Sequence, residues 1–290
     1  MKSILFALFF VVGVVLPAFA SVTLELNYDV INNQKIAYYD SKTDGETIVF
    51  IHGNSSSLSS FQKQLKSDLA KKYRLIAIDL PGHGQSQPAV ETSFHGISYI
   101  VEQFLIKNGF DDGVVLGWSL GGHIVLEMAE ELPNVKGFIV FGAPSISNPM
   151  DIDAFLPNPA MAYAYKQELK QEEMDLFVSS FFANKKEAPF SFQHDARITD
   201  GSVRAGIGLS IATGAYTDEL NVVDGLDRPL AIFHGEDDEL VNFTYLSNLS
   251  IPTLWRAQVQ VIEDASHTPQ YENYKQFNTL VIEFVNDITK

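Results

Sequence analysis

A serine flanked by glycines two residues away on either side, Gly117-Trp118-Ser119-Leu120-Gly121, follows the apolar run Val114-Val115-Leu116 and opens a segment of helical pattern. A strand–turn–helix setting of this kind perches a hydroxyl on a sharp bend, and the glycines leave room for the chain to reverse. At the head of a helix, amide dipoles favour a developing negative charge. A serine hydroxyl is a weak nucleophile until a base takes its proton, and the base must itself be oriented by a third group. Nucleophilic catalysis by Ser119 therefore needs an acid and a histidine, and in the fold that carries a serine on such a strand–turn–helix bend they follow it along the chain in that order.

The acid is expected after the apolar run Leu230–Phe233, in His234-Gly235-Glu236-Asp237-Asp238-Glu239-Leu240-Val241. Two adjacent aspartates compete there. Asp238, three residues after Gly235 and three before Val241, has the preferred spacing, with Asp237 as the alternative. Of seven histidines, His267 is the one downstream of the acid, in Asp264-Ala265-Ser266-His267-Thr268-Pro269. His52 and His83 stand in glycine-containing loops, where holding loop geometry by hydrogen bonds is the expected role. His123 lies inside the helix after Ser119, and His95, His194 and His234 have no motif around them. An acyl-transfer site also needs two N–H donors aimed at the oxyanion. The backbone of Leu120 is one candidate, and Asn54, in His52-Gly53-Asn54-Ser55-Ser56-Ser57, is the other.

Positioning these groups falls to alternating elements. Short β-branched runs (22–28, 34–39, 47–52, 74–79, 114–117, 137–142, 230–234 and 258–262) alternate with amphipathic stretches such as 61–71, 97–108 and 120–131. That rhythm predicts an α/β fold with a mostly parallel sheet and helices on both faces, opened by an antiparallel pair turning at Asn32-Asn33. Between the runs ending at 142 and beginning at 230 lies far more chain than a crossover requires. It opens with Pro144, Pro149, Pro157 and Pro159 and continues with Met161, Tyr163, Phe177 and Phe181. Two core segments, 21–145 and 216–290, are expected to flank a helical cap at 146–215.

In the 290-residue chain, 36 acidic against 20 basic side chains give a formal net charge of −16. That balance disfavours nucleic acid and anionic membrane surfaces as partners. Lys2, the apolar run Ile4–Leu16 and Ala18-Phe19-Ala20 form a signal-peptide pattern over residues 1–20, with cleavage before Ser21. The expected destination is the periplasm or the exterior, with no stable membrane association after cleavage; an uncleaved anchor is the alternative. The chain has no cysteine, so it has neither disulfides nor a thiol nucleophile. No histidine spacing suits a metal, and neither metal nor cofactor is expected.

Taken together, His52-Gly53-Asn54, the tract Asp79-Leu80-Pro81-Gly82-His83-Gly84-Gln85-Ser86, Gly117 to His123, and the acid and histidine segments resemble the α/β-hydrolase superfamily across the mature chain. More narrowly, His52 to Ser57, Lys72 to Gly84, Gly117 to Ile124 with Glu127-Met128, Thr199 to Arg204 and Asn248 to Trp255 are similar to the α/β-hydrolase group of N-acyl homoserine lactone hydrolases. The resemblance implies a serine hydrolase acting on a small ester or lactone with an apolar acyl part, seated under the cap. A general short-chain carboxylesterase and a triad-retaining small-molecule receptor are the alternatives. Haloalkane and epoxide chemistry are disfavoured, because they place Asp where Ser119 stands.

Overall fold

Thr47–Ile51 is buried along its whole length, a pattern that a strand shows when both faces of its sheet are covered. The computed structural model describes residues 24–182 and 187–290, so the expected signal peptide at 1–20 lies outside the described residues. The strands are β1 (Leu26–Ile31), β2 (Gln34–Asp40), β3 (Thr47–Ile51), β4 (Arg74–Ile78), β5 (Val114–Trp118), β6 (Gly137–Phe141), β7 (Leu230–Gly235) and β8 (Gln260–Ile262). They form one sheet in the order β1-β2-β4-β3-β5-β6-β7-β8. β1–β2 and β2–β4 are antiparallel, and every later pair is parallel.

Alternation along the strands divides the core in two. Val49, Ile51, Ile76, Ile78, Val115, Phe138 and Val140 feed one cluster with the helices Phe94–Asn108 and Leu120–Glu127. Their neighbours Ile48, Phe50, Leu75, Ala77, Leu116, Ile139 and Phe141 point the other way. There they meet Phe277, Val281, Phe284 and Val285, one face of the C-terminal helix Tyr274–Ile288.

Two local expectations are revised. The first strand runs to Ile31, three residues beyond its expected end, because Asn32 and Asn33 both take left-handed φ (46° and 67°) and reverse the chain directly after it. The helix expected over 61–71 is two short pieces, Gln62–Leu65 and Leu69–Lys72. At the break, Ser67 Oγ donates to Gln64 O and accepts from Leu69 N–H, which satisfies the backbone locally instead of by helix.

Between β6 and β7 the chain folds into the helices Gln171–Ser179, Phe190–Ile198, Gly201–Thr213 and Glu219–Gly225, with shorter 3-10 turns before them. Met174, Phe177 and Phe192 join the second core, whereas Val203 and Ile207 join the first, so this insertion is rooted on both sides of the sheet. Among the described residues no helix is long and apolar enough to cross a membrane.

Candidate active site

Ser119 sits between β5 and the helix Leu120–Glu127 with φ 53° and ψ −121°, a strained conformation held by its surroundings. Its N–H donates to Phe141 O (2.9 Å), and its carbonyl accepts from Gly122 N–H (2.8 Å). The neighbouring glycines are steric necessities. A Cβ on Gly117 would lie 2.2 Å from Gly121 O, and one on Gly121 would lie 2.2 Å from Ile51 O.

His267 follows β8, and its Nδ1 lies 2.9 Å from Asp238 Oδ2, with both side chains buried. The other Asp238 oxygen accepts from Leu240 and Val241 N–H (2.8 and 3.2 Å), so the turn after β7 fixes the carboxylate. Asp237 is exposed, and the structure brings Asp238 rather than Asp237 to His267. Burial alone would raise the Asp238 carboxyl, but the facing His267 ring and the Leu240 N–H outweigh it and hold it below its ordinary value. With the carboxylate on Nδ1, the other ring nitrogen is the one available for proton transfer. Trp118 Nε1–H donates to His267 O (2.7 Å), tying the histidine loop to the strand that carries Ser119.

Behind β3, the loop carrying Asn54 is fixed by two neutral histidines. His52 Nε2 accepts from Leu80 N–H (3.0 Å) and its Nδ1 donates to Gly53 O (2.7 Å). His83 does the same with Ser55 N–H (3.2 Å) and Pro81 O (2.9 Å). Burial pushes His83 down to about 4 and His52 well below the ordinary histidine value. Their expected loop-holding role thus matches their bonds. Neither the Asn54 nor the Leu120 backbone N–H has an acceptor among the described residues.

Ser119, His267, Asn54 and Leu120 all line one cleft, which encloses about 730 Å³ of empty space, mouth included. The insertion supplies much of its apolar wall through Phe155, Met161, Phe177, Phe181 and Ile207. Ser119 Oγ makes no hydrogen bond among the described residues, so its link to His267 is their shared cleft.

The model of the alpha/beta hydrolase fold family matches residues 46–274, most of the chain. The chain belongs to the α/β-hydrolase family. Among solved structures, this α/β-hydrolase is similar to N-acyl homoserine lactonase AidH complexed with N-butanoyl homoserine, at 29% identity and TM-score 0.88, covering 92% of this chain and 98% of that one. A substituted AidH complexed with N-hexanoyl homoserine lactone matches at TM-score 0.87 and the same identity, over 92% of this chain and 99% of that one. A putative aryl esterase from Burkholderia cenocepacia shares the fold at 20% identity and TM-score 0.75, over 91% of this chain and 99% of that one. A 2-hydroxy-6-oxononadienedioate/2-hydroxy-6-oxononatrienedioate hydrolase from Pseudomonas sp is 24% identical over 87% of this chain and 92% of its own length.

Several residues that shape the site of this α/β-hydrolase were assigned no role from the sequence, Arg204 standing only within the tract Thr199 to Arg204 and Glu219 in no motif. Arg204, in the insertion, is buried and donates to Ser55 Oγ (3.1 Å), Lys166 O (2.9 Å) and Gln167 O (3.0 Å). Ser55 Oγ in turn donates to Asn54 Oδ1 (2.9 Å), and Asn54 Nδ2 donates to Ala164 O (2.8 Å). The insertion thereby grips the loop that carries Asn54. Glu219, buried at the start of its helix, holds His123 at the cleft wall. Among the described residues no group of three or more His, Asp or Glu could hold a metal ion.

Proposed function

We propose that this α/β-hydrolase cleaves a carboxylic ester or lactone through an acyl-enzyme, with N-acyl homoserine lactones as its substrate class. The observation that carries the reading is a buried imidazole, oriented by a carboxylate at 2.9 Å, opening on the same cleft as a serine at a strained bend. The similarity to a lactonase over nearly the whole chain supports the substrate class.

In this mechanism Ser119 Oγ attacks the ring carbonyl as His267 Nε2 takes its proton. The oxyanion accepts from the Asn54 and Leu120 N–H groups, each such donor typically worth about 3–4 kcal/mol. Collapse breaks the ring C–O bond, and His267 returns the proton to the departing alkoxide, which stays attached through the acyl part. His267 then deprotonates a water that attacks the ester on Ser119, releasing an acyl homoserine and restoring the hydroxyl. The Asp238 carboxylate stabilises the imidazolium in both halves of the cycle. The insertion acts as a cap, and its Phe and Met side chains seat the acyl chain.

Mass spectrometry after incubation with a mixed panel of esters and lactones is the test. The expected product is the ring-opened acyl homoserine, 18 mass units heavier by addition of one water, with turnover falling about 10⁴-fold or more in Ser119→Ala. Undiminished turnover in that variant would remove Ser119 from the mechanism. Products from p-nitrophenyl esters alone would make the chain a general esterase.

A further inference from the structure

A second histidine–carboxylate pair opens on the cleft. His123 lies one helical turn after Ser119, its N–H donating to Ser119 O (3.2 Å), and its ring forms part of the cleft wall. Its Nδ1 is 2.9 and 3.2 Å from the two Glu219 oxygens, and Glu219 Oε2 also accepts from Ile146 N–H (2.9 Å). Glu219 is 1% exposed and His123 13%, so the pair is nearly enclosed. His123 Nε2 has no hydrogen-bond partner among the described residues.

Burial raises the Glu219 carboxyl, with the His123 ring opposing that rise. With Nδ1 engaged by Glu219, Nε2 is the ring nitrogen left for a ligand, and an imidazole nitrogen can donate or accept. The Phe155 ring lies beside the imidazole (ring centroids 6.4 Å apart), and Ile146 and Ile207 line the same cleft, so His123 is a polar group on a largely apolar wall.

We propose that His123, held by Glu219, is a second polar anchor of the cleft, hydrogen-bonding through Nε2 to an amide of the substrate distinct from the carbonyl attacked by Ser119. The cleft then selects esters and lactones that carry an additional amide over those with a plain alkyl chain. This rests on the hydrolase reading above. His123 is a specificity residue in that reading and takes no part in the bond-breaking steps.

The test compares N-hexanoyl homoserine lactone, which carries an amide, with γ-decalactone, which has the ring carbonyl alone. In His123→Phe, KM for the amide lactone is expected to rise about tenfold more than KM for γ-decalactone, the loss of one hydrogen bond, with kcat for the two moving together. His123→Gln, which retains both a donor and an acceptor, should recover part of the difference. Because His123→Phe strands the Glu219 carboxylate, the double variant with Glu219→Gln is measured beside it and should show the same split. Calorimetric binding of both lactones to Ser119→Ala, with and without His123→Phe, gives the answer independently of turnover. Equal shifts for the two lactones, no shift, or no binding of the amide lactone overturns the anchor while leaving ester hydrolysis standing. Absence of any turnover by the parent chain, with the binding split intact, overturns the hydrolase reading and leaves the anchor.

Discussion

Gly142, directly after β6, has φ +61°, and a methyl group placed on it would lie 2.9 Å from His267 Cε1 and 3.2 Å from His267 Nδ1. Gly142→Ala therefore carries two separable costs. A left-handed backbone costs a non-glycine residue about 1–2 kcal/mol. The steric contact has to be relieved by moving the imidazole some tenths of an ångström away from its place against Asp238. Gly109, at the end of the helix Phe94–Asn108, isolates the first cost, since its φ is +64° and a methyl there meets nothing within 4 Å. Both alanine variants should lose about 1–2 kcal/mol, a fall in Tm of roughly 2–8 °C for a chain of this size. Only Gly142→Ala should lose kcat, by roughly 10–100-fold, given that a misplacement of about 1 Å can cost about 10². Thermal melts and ester hydrolysis at saturating substrate measure the two quantities. Wild-type kcat in Gly142→Ala, or an equal loss in Gly109→Ala, would refute the idea that Gly142 exists to make room for the histidine.

Asp238→Asn should fold and yet lose kcat by about 10⁴-fold, because an amide facing Nδ1 no longer fixes the tautomer; a loss under tenfold would take Asp238 out of its role. Asp79 is raised by burial to about 7 from 3.8, so the folded chain keeps a proton there that the unfolded chain has released above pH 4. Its stabilising effect is whole below pH 3.8 and is lost as pH rises towards 7, by at most about 4 kcal/mol for about three units. Melts from pH 4 to 8 should therefore show a falling Tm, and Asp79→Asn should flatten it; an unchanged slope would assign the fall elsewhere. Arg204→Lys should lower stability by about 2–3 kcal/mol, since a single ammonium cannot serve all three acceptors. It should also lower kcat/KM about tenfold through the Asn54 loop, and a stability loss with full activity would uncouple that loop from the insertion.

What was legible in the sequence was what is local. Ser119 could be placed because the steric demands of a strand–turn–helix bend leave a pattern within five residues, Gly117 to Gly121. His267 was singled out by its order along the chain, and the structure sets its Nδ1 2.9 Å from Asp238. Spacing favoured Asp238 and left Asp237 as the alternative, because only the packed turn shows which of two neighbours is buried. Contacts made across the fold left no trace in the sequence. Glu219 meets His123 across 96 positions, and Arg204 meets Ser55 across 149. Each needs the insertion folded over the sheet before the partners are neighbours. Ser67 likewise broke an amphipathic stretch by a hydrogen-bond competition that periodicity does not register.

The insertion's two-sided rooting restricts how a ligand can come and go. Met174, Phe177 and Phe192 are embedded in one core and Val203 and Ile207 in the other, while Ser57 and Ser59 clamp Asp195 at 2.6 and 2.7 Å. Swinging this segment aside as a door would unseal both interiors at once. A route into the cleft that leaves both interiors sealed is one opened by side chains alone, and passage along it should be insensitive to hinge stiffness.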